Sequence, residues 1–280
     1  MISVLVVSHN TRQHLEHCLG TLTDQGGYGE ILVVDNASTD GSPDLVRERF
    51  PEVRLLALDE NLGFGAANNR AAAEARGDAL LLLNSDAWLA GGALGTLRSA
   101  LDADPSLGAV APRLFFPDGR PQFHWAPPTG VWGEALQKLR NPFESRPWVH
   151  RPPPVGLHRL LGRPWYTAAC LLVRRDAFEA VGGFDEAFFL YFEDVDLCLR
   201  LLDAGFRLAS VDAATAFHVK GASRPSARGE IEYRRSQLRF YRKHRPAWEN
   251  TFLRAKLRRK FRRLEDPDLR RRLSSLLALW

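Results

Sequence analysis

The run ISVLVVS at Ile2–Ser8 opens the chain, and its β-branched residues on an apolar background predict a strand that is buried on both faces. The next segment, Thr11–Leu22, repeats apolar residues at helical spacing and predicts a helix. The alternation continues with predicted strands at Glu30–Val34, Val53–Leu58 and Ala79–Leu83, and predicted helices at Pro43–Phe50, Phe64–Arg76 and Gly92–Asp102. This order predicts an α/β fold with a mostly parallel central sheet flanked by helices on both faces.

Two later regions depart from this alternation. Residues 115–165 are rich in proline and aromatic residues and have little periodicity, which favours a long, partly ordered loop region over a binding site. Beyond about residue 222 the chain becomes helical and basic. We therefore expect one main domain at residues 1–222, which includes the loop region, and a basic helical extension at residues 223–280.

The composition indicates a soluble, intracellular protein. Of the 280 residues, 45% are apolar and 25% are charged, which is ordinary for a globular protein. The three cysteines, Cys18, Cys170 and Cys198, form neither a metal-binding pattern nor a disulfide framework. We find no signal peptide, and no apolar run approaches the ~20 residues that a membrane span needs. These features predict a cytoplasmic location.

The positive charge is concentrated at the end of the chain. Residues 1–219 carry 19 Lys/Arg and 27 Asp/Glu, whereas residues 220–280 carry 19 Lys/Arg and 6 Asp/Glu. Leu253, Leu257, Phe261 and Leu264 fall at helical spacing among these basic residues. Such a helix either packs on the body of the protein or docks on an anionic membrane surface, at the inner face of the cytoplasmic membrane. Nucleic-acid binding is disfavoured because no recognition motif accompanies the charge.

Polar clusters follow four of the predicted strands. They are Ser8-His9-Asn10, Asp35–Gly41, Asn61–Asn69 and Asn84-Ser85-Asp86. The carboxyl ends of parallel strands meet at one edge of the sheet, where ligands of open α/β sheets bind. Turn and capping chemistry explains each cluster alone. Four of them in series favour a ligand site at that edge.

The stretch FFLYFEDVDLCLR at Phe188–Arg200 places Glu193, Asp194 and Asp196 directly behind an aromatic run. Acids at the start of a helix gain from its dipole, which is a sufficient structural explanation. A carboxylate beside an apolar wall is equally suited to act as a general base. In a helix Glu193 and Asp196 share a face while Asp194 projects elsewhere, and Asp196 can pair with Arg200 at the i+4 spacing.

As an ordered set, these motifs resemble glycosyltransferase family 2, in its bacterial rhamnosyltransferase-like branch. The matching motifs are VSHN at 7–10, VVDNASTD at 33–40, NLGF at 61–64, LLNSD at 82–86, GGFDE at 182–186 and the acidic stretch. The resemblance covers residues 1–245. It implies the GT-A nucleotide-diphospho-sugar transferase fold and an inverting, metal-dependent hexosyltransferase. The implied reaction moves rhamnose from dTDP-rhamnose to a hydroxyl of a glycan or lipid-linked saccharide in cell-surface polysaccharide synthesis.

The resemblance also assigns roles to residues. The donor-binding residues it implies are Ser8, His9, Asn10, Asp35, Asn61, Gly63, Phe64, Asn68, Asn84, Ser85 and Asp86. Asp86 and His218 would hold Mg²⁺ or Mn²⁺ at the donor diphosphate, and residues 115–165 would shape the acceptor groove of the catalytic domain. Asn84 stands where a strict Asp-x-Asp motif has its first acid. Asp194 is the candidate base, with Glu193 and Asp196 as its competitors.

Two other functions stay open at this point. A catalytically silent sugar-nucleotide-binding or scaffolding protein is favoured by Asn84 and opposed by the intact Glu193-Asp194 pair. A nucleotidyltransferase on a similar fold would carry a glycine-rich, basic phosphate loop after the first strand. The residues at that place, Ser8–Thr11, do not form one.

Overall fold

The computed structural model describes residues 1–144, 146, 150, 164–219 and 227–279. Its strands are β1 (Ile2–Ser8), β2 (Glu30–Asp35), β3 (Arg54–Ala57), β4 (Ala79–Asn84), β5 (Ala87–Leu89), β6 (Leu107–Phe115), β7 (Pro121–Gln122), β8 (Trp125–Ala126), β9 (Trp165–Tyr166), β10 (Cys170–Arg174) and β11 (Arg207–His218). The strands and helices predicted within the first 110 residues are confirmed to within three residues at each end.

The helices are α1 (Arg12–Gln25), α2 (Ser42–Arg49), α3 (Phe64–Glu74), α4 (Ala93–Ala103), α5 (Val131–Arg140), α6 (Arg175–Ala180), α7 (Glu193–Asp203), α8 (Ala227–His244), α9 (Ala247–Phe261) and α10 (Pro267–Ala278). A 3₁₀ turn at Asn141–Phe143 continues α5. Helix α5 lies inside the region predicted to be a partly ordered loop. Part of that region, namely residues 145, 147–149 and 151–163, lies outside the described residues.

The central sheet runs in the order β3-β2-β1-β4-β10-β6-β11-β5, with β7 paired to β6. Strands β3, β2, β1 and β4 are parallel neighbours, as the strand–helix alternation predicts. Strand β10 runs antiparallel between β4 and β6, so the second half of the sheet is mixed. Strands β8 and β9 form a separate small antiparallel pair. The carboxyl ends of β1, β2 and β4 consequently lie side by side.

Both faces of the sheet are buried, because side chains alternate along each strand. In β1, Val4 and Val6 pack into a core with α1, α2 and α4, whereas Leu5 and Val7 face a second core with α3, α6 and α7. This explains why β1 is a continuous apolar run rather than an alternating one.

A third core joins the acidic stretch to the C-terminal helices. Phe188 and Phe192 pack with buried side chains of α8, α9 and α10, among them Leu253, Leu257 and Phe261. These three side chains of α9 are at most 2% exposed. The apolar face of the basic helix therefore packs on the body of the protein. Of the two alternatives that the sequence left open for this face, packing on the body and docking on a membrane, the structure shows the first. Among the described residues, no helix combines the length and apolarity that crossing a bilayer requires.

Candidate active site

The polar strand ends do meet at one edge of the sheet. Ser8 at the end of β1 is in register with Asp35 at the end of β2, and Val7 is in register with Asn84 at the end of β4. The Ser8 hydroxyl lies 3.0 Å from the Thr11 hydroxyl, which in turn lies 2.8 Å from the Ser85 hydroxyl. A chain of hydroxyl groups thus links the ends of β1 and β4.

His9 and Asn10 connect the first strand end to the second. The His9 Nδ1 atom lies 2.8 Å from the Asn36 carbonyl oxygen, and the Asn10 side-chain oxygen accepts a hydrogen bond from the Thr39 N–H at 2.8 Å. The Asn10 N–H donates to the Ser38 hydroxyl at 2.9 Å. Asn10 adopts a left-handed conformation, with φ of 54°, which asparagine tolerates better than most residues. These contacts hold the two loops together.

Asp35 has one carboxylate oxygen that the described protein leaves without a partner. The residue is 2% exposed, and its Oδ2 atom accepts a hydrogen bond from the Ser38 N–H at 2.8 Å. Its Oδ1 atom is buried and has no hydrogen-bond partner within the described part of the chain. Buried polar atoms are nearly always paired, so an orphaned acceptor beside a ligand edge is suited to receive a donor from a ligand.

The Asn61–Asn69 segment packs against the backbone of the acidic stretch. Gly63 has φ of 86°, and a methyl group at this position would collide with the Phe189 backbone carbonyl. The Phe64 N–H donates to that same carbonyl at 3.1 Å. The Asn61 side chain accepts a hydrogen bond from the Gly63 N–H at 2.9 Å and so shapes the turn. Only glycine permits this close approach of α3 to the stretch that carries the acids.

Two further asparagines of α3 have different surroundings. Asn68 is fully buried; its amide donates to the Phe64 carbonyl at 3.0 Å, and its Oδ1 atom has no partner among the described residues. The side chain of Asn69 contacts the GGFDE motif. It exchanges two hydrogen bonds of 2.9 Å with the backbone of Phe184, which ties α3 to the GGFDE motif.

Asp86 and His218 come together at the end of β4. The His218 Nε2 atom lies 3.3 Å from the Asp86 Oδ1 atom and 3.4 Å from the Asn84 amide nitrogen. Burial opposes the ionisation of Asp86, but its contacts with His218, a backbone hydrogen bond and the nearby His14 together outweigh that cost and lower the pKa of the carboxyl below its ordinary value. In the described residues no cluster of three or more His, Cys, Asp or Glu side chains surrounds this pair.

Gln122, which the sequence did not indicate, orients His218. Its amide nitrogen donates to the His218 carbonyl at 3.1 Å, so its oxygen is the atom that faces His218 Nδ1 at 2.7 Å. An oxygen acceptor requires a proton on Nδ1. In the neutral imidazole the Nε2 atom then carries the lone pair and points toward Asp86.

The acidic stretch reaches α7 through two residues in strained conformations. Tyr191 and Phe192 both have φ of 68°, in the left-handed region that large side chains rarely adopt. The Ser236 hydroxyl of α8 donates to the Leu190 carbonyl at 2.8 Å, opposite the contact between Phe64 and Phe189. Contacts from both sides therefore maintain the strain, which aims the first turn of α7 into a cavity.

The cavity has a volume of about 370 Å³ and joins the sheet edge to α7. Its lining includes Asn84 and Phe64 from the sheet side, and Glu193 and Asp194 from α7. The opposite wall comes from α5, which contributes Gly133, Glu134 and Gln137, and from Tyr233 of α8. The sequence predicted a loop region over the site but did not predict a helix there.

Asp194 lies in this cavity without a cationic partner. Its carboxylate accepts hydrogen bonds from the Ala168 N–H at 3.3 Å, the Val195 N–H at 2.8 Å and the Thr167 side chain. It forms no ion pair with any described residue. Burial raises the pKa of Asp194 to about 6. Thr167 is a second contributing residue that no sequence pattern indicated.

Glu193 lines the same cavity but is held differently. It is 6% exposed, and its Oε2 atom is buried without a partner among the described residues. Burial raises the pKa of Glu193 well above its ordinary value, and the neighbouring Asp194 charge raises it further. Ionising both of these adjacent buried acids is costly, so the protonation of one depends on that of the other.

Asp196, a candidate base in the sequence, does not face the cavity. It is fully buried, and its carboxylate contacts Arg200 Nε at 2.7 Å, His244 Nε2 at 2.7 Å and Lys243 Nζ at 2.6 Å. Burial opposes its ionisation, but these three partners outweigh that cost and lower the pKa of Asp196 to about 2. The pairing with Arg200 is the one that the i+4 spacing allows. This geometry corrects the expectation for Asp196, which joins α7 to α8 and has no access to a substrate.

The sequence is similar to a family of transferases. The family model described as Glycosyl transferase family 2 matches residues 3–182. The N-acetylglucosaminyl-diphospho-decaprenol L-rhamnosyltransferase of Mycobacterium tuberculosis (strain ATCC 25618 / H37Rv) is 36% identical over 243 residues, which cover 80% of this chain and 77% of that protein. The O-antigen biosynthesis protein RfbC of Myxococcus xanthus is 34% identical over 235 residues, which cover 80% of this chain and 18% of that protein.

Solved structures share the fold. The mannosyltransferase PcManGT from Pyrobaculum calidifontis, in complex with GDP-Man and Mn²⁺, has a TM-score of 0.59 and 21% sequence identity, over 99% of this chain and 74% of that chain. The S. aureus protein TarS (residues 1–349) in complex with UDP has a TM-score of 0.56 and 18% identity, over 85% of this chain and 64% of that chain. These likenesses confirm the expected GT-A fold.

Proposed function

Because the chain belongs to glycosyltransferase family 2, we propose that it is an inverting rhamnosyltransferase that uses dTDP-rhamnose and a lipid-linked saccharide acceptor. The observation that carries this proposal is the cavity that Asp194, without a cationic partner, lines together with Asn84 at the end of β4. The relative from M. tuberculosis supports the choice of sugar and acceptor, since its name contains both. The reaction would take place at the inner face of the cytoplasmic membrane, as a step of cell-surface polysaccharide synthesis.

The donor nucleotide would occupy the sheet edge. The free Oδ1 atom of Asp35 would accept a hydrogen bond from the nucleobase, and Ser8, His9 and Asn10 would line the same pocket. The amide group of Asn84 would face the sugar and diphosphate, where Phe64 and Asn84 line the cavity. The buried Asn68 would act indirectly, through its hydrogen bond to the Phe64 carbonyl. Asn61 and Gly63 would act indirectly by shaping the turn beneath it.

The residues at the end of β4 fit a divalent cation. Asp86 offers a carboxylate and His218 an imidazole Nε2 that Gln122 orients, and these two groups would hold a cation such as Mg²⁺ or Mn²⁺. A set of two protein ligands is sufficient for a metal that binds together with its phosphate substrate. When bound, the cation would neutralise negative charge on the departing diphosphate.

Asp194 would act as the general base. The acceptor hydroxyl gives its proton to the Asp194 carboxylate as its oxygen attacks the anomeric carbon. The bond between that carbon and the diphosphate oxygen breaks, and the nucleoside diphosphate leaves with the electron pair. Attack from the side opposite the leaving group inverts the anomeric configuration. A pKa near 6 suits this role, since Asp194 is ionised at neutral pH and yet a stronger base than an ordinary carboxylate.

Glu193 would support Asp194 by staying protonated. Its buried Oε2 atom and its raised pKa both favour the neutral carboxylic acid. With Glu193 neutral, the single negative charge of the pair resides on Asp194, which has three hydrogen-bond donors to stabilise it. The two acids would thus have one role each, set by their surroundings.

The test is a panel of nucleotide sugars, with Mg²⁺, Mn²⁺ or EDTA, assayed for transfer to a synthetic polyprenyl-diphospho-saccharide. We expect turnover with dTDP-rhamnose and a cation, and a product whose anomeric configuration, read by NMR, is opposite to that of the donor. Turnover with a different sugar would refute the donor assignment alone. Binding of a nucleotide sugar without transfer or hydrolysis of any donor would instead indicate a silent sugar-nucleotide-binding protein. The Asp194→Asn variant is the matched control for background hydrolysis.

A further inference from the structure

Helix α5 exposes an apolar stripe on the side away from the cavity. Trp132, Leu136 and Leu139 are 77%, 41% and 70% exposed, and their spacing of four and three residues places them on one face of the helix. The other side of the same helix lines the cavity through Glu134 and Gln137. One side of α5 therefore lines the candidate active site, and the opposite side faces solvent.

Helix α9 contacts α5 at two places. The Val131 N–H donates to Glu249 at 3.0 Å near the start of both helices, and Lys256 Nζ contacts Glu134 at 3.3 Å further along. Buried side chains occupy the inner side of α9, toward the third core. The exposed side chains of α9 therefore lie on the opposite side of the helix, away from that core.

The outer side of α9 also exposes aromatic and basic side chains. Trp248 and Phe252 are 55% and 50% exposed. At about 100° per residue, Trp248, Phe252 and Arg259 fall within about 40° of one another around the helix. The exposed apolar side chains of these two contacting helices, which we call the outer patch, are Trp132, Leu136, Leu139, Trp248 and Phe252.

Positive charge adjoins the outer patch. Arg258, Arg259, Arg262 and Arg263 follow Phe252 on and just after α9, all four are exposed, and none of them forms an ion pair with another described residue. They belong to a C-terminal region in which 19 Lys/Arg outnumber 6 Asp/Glu. Tryptophan and phenylalanine beside arginine are suited to a surface with an apolar layer under anionic headgroups.

We propose that the outer patch docks on an anionic lipid bilayer and so brings the acceptor end of a lipid-linked saccharide to the opposite side of α5. The charge complementarity of the arginines and the continuity of α5 with the cavity favour a bilayer over a second copy of this positively charged surface. The proposal rests on the proposed function for its acceptor, but the docking itself requires no turnover. The outer patch is a different surface from the face formed by Leu253, Leu257 and Phe261, which is buried in the core.

The experiment is flotation of the full-length protein with vesicles of phosphatidylcholine, with and without phosphatidylglycerol, at low and high salt. We expect binding to the anionic vesicles at about 0.1 M salt and release at about 1 M, where charges are strongly screened. The Trp132→Ser/Phe252→Ser variant should lower the fraction bound by about tenfold or more, because apolar insertion is lost. The Arg259→Gln/Arg262→Gln variant should bind less, whereas Arg47→Gln/Arg70→Gln, which removes the same charge from α2 and α3, should bind like the wild type.

Three outcomes would overturn the proposal. They are binding to no vesicle, binding that the outer-patch substitutions leave unchanged, and a wild-type dimer that Trp132→Ser/Phe252→Ser converts to a monomer without any vesicle binding. Circular dichroism checks that each variant is folded. Transfer to a short, water-soluble acceptor separates the two proposals, since outer-patch variants should keep it. A protein that binds vesicles but transfers no sugar would retain the docking surface and refute the proposed function.

Discussion

Asp194 and Asp196 stand two residues apart in the first turn of α7, and their surroundings are opposite. Asp196 is enclosed by Arg200, Lys243 and His244, which lower its pKa to about 2. Asp194 faces the cavity with backbone and hydroxyl donors alone, and burial raises its pKa to about 6. One carboxylate is paired with cations and stabilises the fold, whereas the other keeps its basicity. Paired acids stabilise a protein, and an unpaired acid at the edge of a cavity is available for chemistry.

The largest effect is expected from Asp194. Replacing Asp194 by Asn removes the proton acceptor, and general-base catalysis contributes about 10²–10⁴-fold, so turnover should fall by that factor. Donor affinity, measured by calorimetry, should stay close to that of the wild type, because in the proposed mechanism Asp194 contacts the acceptor hydroxyl. Glu193→Gln is the matched control, since glutamine imitates a protonated glutamic acid, and it should retain most activity. Near-normal turnover of Asp194→Asn would contradict the assignment.

The next effect concerns stability at Asp196. Replacing Asp196 by Asn leaves Arg200, Lys243 and His244 without their buried carboxylate partner, so the free energy of unfolding should fall by about 3 kcal/mol. Urea denaturation followed by circular dichroism measures this loss. Asp44→Asn breaks an exposed pair with Arg47 and serves as the control, with an expected change under about 1 kcal/mol. Equal losses at Asp44 and Asp196 would mean that the buried network does not stabilise the fold.

The two acids should also give stability opposite dependences on pH. Folded Asp194 holds its proton more tightly than the unfolded chain does between about pH 4 and pH 6, so stability falls as pH rises through that range. Folded Asp196 releases its proton more readily, so its contribution appears as pH rises from about 2 to about 4 and is lost on acidification. Asp194→Asn should therefore raise the melting temperature more at pH 7 than at pH 4. In the wild type, kcat/KM should decline below about pH 6; a profile flat down to pH 4 would argue against Asp194 as the base.

The smallest effect is expected at the sheet edge, where Asp86 contacts His218. It tests whether the surroundings of a side chain also set its function there. Replacing Gln122 by Ala removes the acceptor that orients His218, so Mn²⁺ affinity in the presence of dTDP should fall by about tenfold. Titration calorimetry measures that affinity without requiring turnover. Gln25→Ala removes another glutamine that bonds to a backbone carbonyl and should leave Mn²⁺ binding unchanged. Wild-type affinity in Gln122→Ala would show that His218 needs no support or binds no metal.

The polar edge of the sheet could be predicted because its signals are local. Each polar cluster directly follows an apolar strand, and parallel strands necessarily bring their carboxyl ends to one edge. The pairing of Asp196 with Arg200 was equally accessible, since both lie four residues apart on one helix. Residues 115–165 gave only the signal of a long loop region over a site. Helix α5 lies in that region, which is rich in proline and has weak periodicity, so neither the helix nor its side toward the cavity could be predicted before the fold was known.

The amino-acid sequence by itself determined the strand–helix order, the parallel half of the sheet, the polar edge and the place of the acids, because periodicity and motif spacing act over short stretches of chain. Only the tertiary structure decided which acid faces a cavity. That choice depends on contacts between distant residues: Asp196 with His244, 48 residues apart, Gln122 with His218, 96 apart, and Glu134 with Lys256, 122 apart. Desolvation and charge pairing set the basicity of a carboxylate, and both are properties of the packed surroundings rather than of the residue's neighbours in sequence.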